Sequence, residues 1–325
     1  MMETIFQTLS PLGEPLAVYK NAWGVDTEEG EETLSVVTGL HGDRWTGLYV
    51  ASRLAAFLQG VTDRTLPKFE LTGRIQIFPV VNLRALEAAA PVWPLDNLDT
   101  DLAFPGTLEG DLTEKICHAL LQHTAKSAYG LILQAGSPLF TEVPHIRLYS
   151  PDRPLRHLAR SLGLGIARLL PNEPAADLQL MKQWSQLRVQ ALGISTGGAH
   201  RLDRETGDTL LEGIRNYLLM TGLLIHPNQK GKRQDTDFFG PRGECHLKCA
   251  QAGLFVPDLK LGASVRRGQV VGKIQDLYEG RTLEEIKVPK DGVLVSLRRH
   301  PLVNQGEPVA CLLTEKYPRW YWPFG

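Results

Sequence analysis

The chain has 325 residues, of which 43% are hydrophobic and 22% charged, with a formal net charge of −1. That composition supplies a packed core and removes any bulk electrostatic case for nucleic acid or an anionic membrane surface. Four cysteines, at 117, 245, 249 and 311, are too scattered for a disulfide framework, so a reduced, cytoplasmic setting is expected.

The start, MMETIFQTLSPLGEP, lacks a basic leader followed by an apolar core, so no secretory signal is expected. No apolar run approaches the ~20 residues that span a bilayer. An apolar stretch, Leu16 to Tyr19, precedes an acidic run from Asp26 to Glu32 that reads as a solvated loop. Val36 and Val37 read as a short strand feeding a turn that holds Gly39, His41, Gly42, Asp43, Arg44 and Gly47. A helix follows, with apolar residues at Leu48, Val50, Ala51, Leu54, Ala55 and Leu58. A strand, a Gly-rich turn and a helix mark the place where open α/β sheets carry their chemistry.

GRIQIFPVVN, 73 to 82, reads as a buried strand ending at Asn82. The aperiodic loop APVWPLDNLDTDLAFPG, 90 to 106, is long for a connection, which points to function. Thr113 opens a helix with Glu114, and YGLILQ, ending at Gln134, is a central strand. Leu155 to Leu164 reads as a helix, Glu173 to Met181 is ambiguous, and ALGISTGG, through Ser195, is a strand and turn. Leu202 to Leu224 is a long amphipathic helix. The Gly- and Pro-rich segment after His226 reads as a linker, and from Ala250 short strands alternate with turns about every ten residues. The ending KYPRWYWPFG is expected to pack as a tail over the body or a partner subunit.

Several of these words, in order, resemble the succinylglutamate desuccinylase/aspartoacylase family, a branch of the zinc metallocarboxypeptidase superfamily: LHGD, PVVN, AFPG, PHIR, GLF-P and PKDGV. The family signature is G-x-H-G-D-E-x-x-G, whose His and Glu bind zinc. Here His41 and Asp43 are kept, but Arg44 stands at the second ligand. The resemblance places Gln134 at the third ligand, a His in the family, and Ser195 at the Glu that activates the zinc-bound water. Asp96 matches the family's loop, Pro91 falls at its substrate-binding Arg, and Asp101 and Leu102 replace an Asn-Arg pair that clamps the substrate carboxylate. An arginine offers only donors and cannot ligate zinc, and a catalytic zinc needs three protein ligands. Only a vestigial ligand, His41, remains, so no cofactor is expected, zinc being the alternative. Arg44 is expected to replace the ion's charge and pair with Asp101 or Asp43; the competing reading has it in solvent.

Two other clusters in the sequence carry candidate chemistry. Cys245-His246-x-x-Cys249 is the only soft-ligand cluster in sequence and reads as core or linker, because His246 on a strand would point away from both cysteines. G193-I-S-T-G197 matches a nucleophile elbow formally, with Ser195 beside His41 or His200, but loop-like residues follow it. His145 and His200 read as ordinary hydrogen-bonded residues.

The expected fold is therefore a mixed-sheet α/β zinc-carboxypeptidase-like domain over 1–230, a linker over 231–249, a β barrel-sandwich hybrid domain over 250–316 and an aromatic tail over 317–325. Lys287 and Lys290 lack a carrier-domain context, so covalent cofactor carriage is not expected. The expected function is a catalytically degenerate binding or regulatory subunit, its ligand pocket formed by His41, Asp43, Arg44, Asn82, Asp96, Asp101, Gln134 and Ser195. Its partner is an unknown small molecule or protein, not nucleic acid or membrane, with a homo-oligomer through the C-terminal domain or tail as an option. The alternatives are an active metal-dependent N-acyl amino acid deacylase, a Ser-based hydrolase, and an assembly protein.

Overall fold

The computed structural model describes residues 2–10, 12–25 and 32–317. Most of the acidic run, from Asp26, and the tail beyond Tyr317 lie outside the described residues. A nine-stranded sheet organises the first part. Its order is Met2–Leu9, Pro15–Gly24, Arg74–Phe78, Thr33–Val37, Tyr129–Gln134, Gln190–Ser195, His145–Leu148, Ile166–Leu169 and Asp237–Phe239. The four strands Arg74–Phe78, Thr33–Val37, Tyr129–Gln134 and Gln190–Ser195 run parallel, and His145–Leu148 pairs antiparallel to the last of them. Their near-continuous apolar runs follow from burial on both faces.

One face is covered by the helices Trp45–Thr62, Arg153–Ser161 and Arg204–Thr221, which share a core with Leu34, Val36, Leu131, Leu133 and Ile194. The other is covered by Leu112–Thr124 and Leu180–Gln186, whose Ile116, Leu120, Met181 and Trp184 pack with Val37, Phe78 and Ile132. The ambiguous segment is thus a 3-10 turn, Pro174–Leu178, followed by a short helix. No helix among the described residues is long and apolar enough to cross a membrane.

The second part holds two antiparallel sheets. One contains Glu244–Lys248, Pro308–Leu313, Gly292–Arg298 and Ser264–Val265, and the other Thr282–Lys287, Val270–Gln275, Gly253–Pro257 and Leu302–Val303. Both contribute to one core through Leu247, Phe255, Ile274, Ile286, Leu294 and Leu312. The stretch read as a linker departs from expectation. Asp237–Phe239 extends the large sheet beside Ile166–Leu169, and Glu244–Lys248 pairs with Pro308–Leu313. Strands of three and five residues carry too little periodicity to stand out from a Gly- and Pro-rich background. A further strand, Phe140–Glu142, leaves the first part to pair with Gly292–Arg298, carrying Glu142 toward the end of the large sheet.

Candidate functional site

The carboxyl ends of the four parallel strands converge on one polar cluster. The turn after Thr33–Val37 brings in His41, Asp43 and Arg44. It needs a glycine at 42, because a Cβ there would lie 1.9 Å from the Ala85 carbonyl oxygen of the neighbouring short helix. Arg44 is the N-cap of the helix Trp45–Thr62, with no side-chain cap bond. A cation is disfavoured at that positive end of the helix dipole, so it has to be held there. Its Nε donates to Asp43 Oδ1 at 2.7 Å and its Nη1 to the Ala135 carbonyl at 2.7 Å. Arg44 is 7% exposed and Asp43 wholly buried, so the solvent-facing reading of Arg44 is set aside. Of the two expected partners Asp43 is the one used. The His200 Nε2 stands 3.6 Å from the other oxygen of Asp43.

Asp101 instead meets Gln134. Gln134 Nε2 donates to Asp101 Oδ2 at 3.0 Å, and its Oε1 accepts from Arg147 Nη1 at 3.1 Å. Arg147 reaches across because its neighbour in register is Gly193, where a Cβ would approach Met181 Sδ and Arg147 Cβ to 3.1 and 3.3 Å. His41 Nε2 is bonded to Asp99 Oδ1 at 2.8 Å. Burial pulls the Asp99 carboxyl upward, but the His41 hydrogen bond and charge and the Asp101 backbone N–H outweigh it, leaving Asp99 below its ordinary value. Burial raises Asp101 above the usual carboxylate value, against the opposing His41 charge and Gln134 hydrogen bond. Two neighbouring carboxyls are thereby driven apart in acidity. His41 Nδ1 and Asp101 Oδ1 are buried and have no hydrogen-bond partner among the described residues.

Two of the expected pocket residues serve the loop instead. Asn82 caps the short helix Leu83–Glu87, accepting from Ala85 N at 3.0 Å and donating to Thr100 Oγ1 at 2.8 Å. Asp96 accepts from Leu98 N at 2.9 Å and from Thr113 Oγ1 at 2.8 Å. Both side chains have each amide or carboxylate end engaged, so they hold the long loop in place. Ser195 ends its strand and donates to Glu142 Oε2 at 3.1 Å. The residues after it are loop until Arg204, so the strand–turn–helix context of a nucleophile elbow is absent.

Sequence reasoning missed Asp99, Arg147 and Glu142. Arg147 interrupts an otherwise apolar strand, HIRL, which is a usable signal. Glu142 has none, since only the crossing of a short strand brings it to Ser195. His145 lies opposite Ser195 in register and its Nδ1–H donates to the Val143 carbonyl at 2.9 Å. Burial, aided by the charges of Arg168 and Arg147, depresses its pKa to about 3 from 6.5, against the raising effects of that hydrogen bond and of Glu244. Below about pH 6.5 the unfolded chain takes up a proton here that the folded chain refuses, so stability is lost as the pH falls toward 3. Chemical denaturation at pH 7 and pH 5 is expected to differ by about 2 kcal/mol from this residue. His145→Gln should remove that part of the slope.

Of the residues that the resemblance sets at the family's zinc ligands, Arg44 offers only donors and does not fit the ion. The guanidinium of Arg44, which the resemblance sets at the second ligand, is bonded to Asp43 and to the Ala135 carbonyl, and a fixed cation repels a divalent ion. Gln134 has its amide oxygen and nitrogen both committed to neighbours.

No protein-family model matches the chain. It is 26% identical over 316 residues to the N-alpha-acetyl-L-2,4-diaminobutyric acid deacetylase of Halomonas elongata, covering 92% of this chain and 89% of that one. Among solved structures it resembles a succinylglutamate desuccinylase/aspartoacylase from Rhodobacter sphaeroides, with a TM-score of 0.79 at 20% identity over 98% of this chain and 96% of the other. The product-bound ectoine utilization protein EutE (DoeB) from Ruegeria pomeroyi gives a TM-score of 0.78 at 20% identity over 95% and 93%.

Proposed function

We propose that this chain, which is similar over most of its length to a deacetylase and in fold to succinylglutamate desuccinylase/aspartoacylase structures, is a member of that family that binds a small ligand without zinc-dependent hydrolysis. The observation that carries this reading is the buried Arg44 guanidinium, seated between Asp43 and the Ala135 carbonyl where the family pattern has its second zinc ligand. Activation of water by zinc needs an ion to lower the water's pKa and a base to take the proton. Arg44 and Gln134 oppose the first, and Ser195, at the position of the base, opposes the second.

The ligand chemistry has shifted as well. Pro91, Asp101 and Leu102 stand where the family pattern clamps a carboxylate, and Asp99 and Asp101 line the same region. Such a pocket favours an amine or amide donor over a dicarboxylate. Four free cysteines fit the cytoplasm as its setting. The two-sheet C-terminal part, read as a barrel-sandwich hybrid, is the surface we assign to assembly.

A second reading, an active N-acyl amino acid deacylase with a relocated metal or with Ser195 as nucleophile, is favoured by one observation. The curated relative that it matches over nearly its whole length is a deacetylase. Isothermal titration with N-acetyl-diaminobutyrate, N-acetyl-aspartate and succinyl-glutamate, each paired with a product assay with and without chelator, separates the two. The expected result is binding that prefers the amine-bearing compound, with no turnover in any arm. Chelator-sensitive turnover of any of them would favour the second reading instead.

A further inference from the structure

A second polar cluster lies far from His41 in sequence, where the small sheets meet the large one. Glu244 and His246, two apart on one strand, share a face, and Cys311 lies directly opposite His246 on the adjacent strand. Among the described residues their carboxylate, imidazole and thiol atoms form a trio within 4.8 Å of one another. Cys245-His246-x-x-Cys249, read from the sequence as core or linker, does not come together as a ligand set. Cys245 and Cys249 contribute to the core of the small sheets, and the partners of His246 come from two residues back and from across the sheet.

We propose that Glu244, His246 and Cys311 form a zinc site on the small sheet, independent of the pocket around His41. Thiolate, imidazole and carboxylate are the donor set of a borderline-soft divalent ion. His246 Nε2 stands 3.8 Å from Glu244 Oε2, too far for a hydrogen bond. Donors about 2.0–2.3 Å from one tetrahedral ion are about 3.3–3.7 Å apart, so a small closure seats the ion. The His246 side chain is 56% exposed, which leaves the fourth position open to water. Arg168, from the large sheet, grips Glu244 through Nε to Oε1 at 3.0 Å and Nη2 to Oε2 at 2.7 Å. On binding, Oε2 passes from Nη2 to the ion, Oε1 keeps Nε, and the Cys311 proton goes to solvent. Arg168 then orients the ligating carboxylate, as supporting groups around metal sites do.

The full chain, reduced and stripped of metal, is titrated with zinc against a chromophoric chelator and separately with cobalt(II). One ion per chain is expected, with a thiolate-to-cobalt charge-transfer band in the near ultraviolet. Cys311→Ser should abolish the band and the ion. His246→Ala alters an exposed side chain and leaves the core intact. It should weaken binding by more than the ~10–100-fold that loss of a supporting group costs. His41→Ala should bind as the parent does. Absence of a stoichiometric ion, unchanged affinity in His246→Ala, or loss of the ion in His41→Ala would each overturn the assignment.

Discussion

Arg44→Ala is expected to destabilise the protein by about 3–5 kcal/mol, read from the midpoint of urea unfolding. The change removes one partner of a buried ion pair and leaves the other charge uncompensated, which costs that much. Asp43 is fully buried, and its Oδ1 is held by Arg44 Nε. Among the described residues its Oδ2 has no hydrogen bond, and the His200 ring nitrogen stands 3.6 Å from it. The Ala135 carbonyl would lose its donor as well. Replacing both partners, as Asp43→Asn with Arg44→Met, removes the charges together and should recover most of the loss, because a buried pair exchanged for neutral groups is often close to neutral. A loss below about 1 kcal/mol in Arg44→Ala would mean that the guanidinium behaves as an exposed group does.

The double variant Arg44→Glu with Gln134→His is expected to bind one zinc ion more per chain than the parent. It removes the obstructing cation and returns two donors to positions flanking His41, which completes three protein ligands. Without metal this variant should be less stable than the parent, since the Arg44–Asp43 pair is replaced by two acids. With free zinc at about a hundred times its dissociation constant it should regain roughly 2.7 kcal/mol. It should still fail to hydrolyse N-acyl amino acids, because Ser195 stands where the activating base belongs and is bonded to Glu142. Zinc binding without turnover separates the loss of the ion from the loss of the base. No gain in bound zinc would mean that His41, held on Asp99, is no longer aimed as a ligand.

How much of this was legible in the sequence depends on how local each signal is. The parallel strands were readable because residues buried on both faces leave short apolar runs, as at Val36–Val37 and in the middle of YGLILQ. The substitution at Arg44 was readable because it breaks a compact word, HGDR, and because a guanidinium cannot do a ligand's work. The choice between Asp43 and Asp101 as its partner was not readable, since it depends on how far a long aperiodic loop folds over the sheet. That loop lays Asp101 against Gln134 and spends Asn82 and Asp96 on its own support. Glu142 and the Glu244–His246–Cys311 trio were illegible for a similar reason. Each is assembled by strand pairing between distant segments, and which distant segment a strand meets is not written in that strand alone.

The most direct test of the central claim is anomalous diffraction at the zinc absorption edge from crystals of the unaltered chain grown with excess zinc. The expected map has no peak within about 2.0–2.1 Å of either ring nitrogen of His41, the distance of a Zn–N bond, with Arg44 still bonded to Asp43. A peak there, with Arg44 swung away and Gln134 or Asp101 completing the shell, would contradict the account.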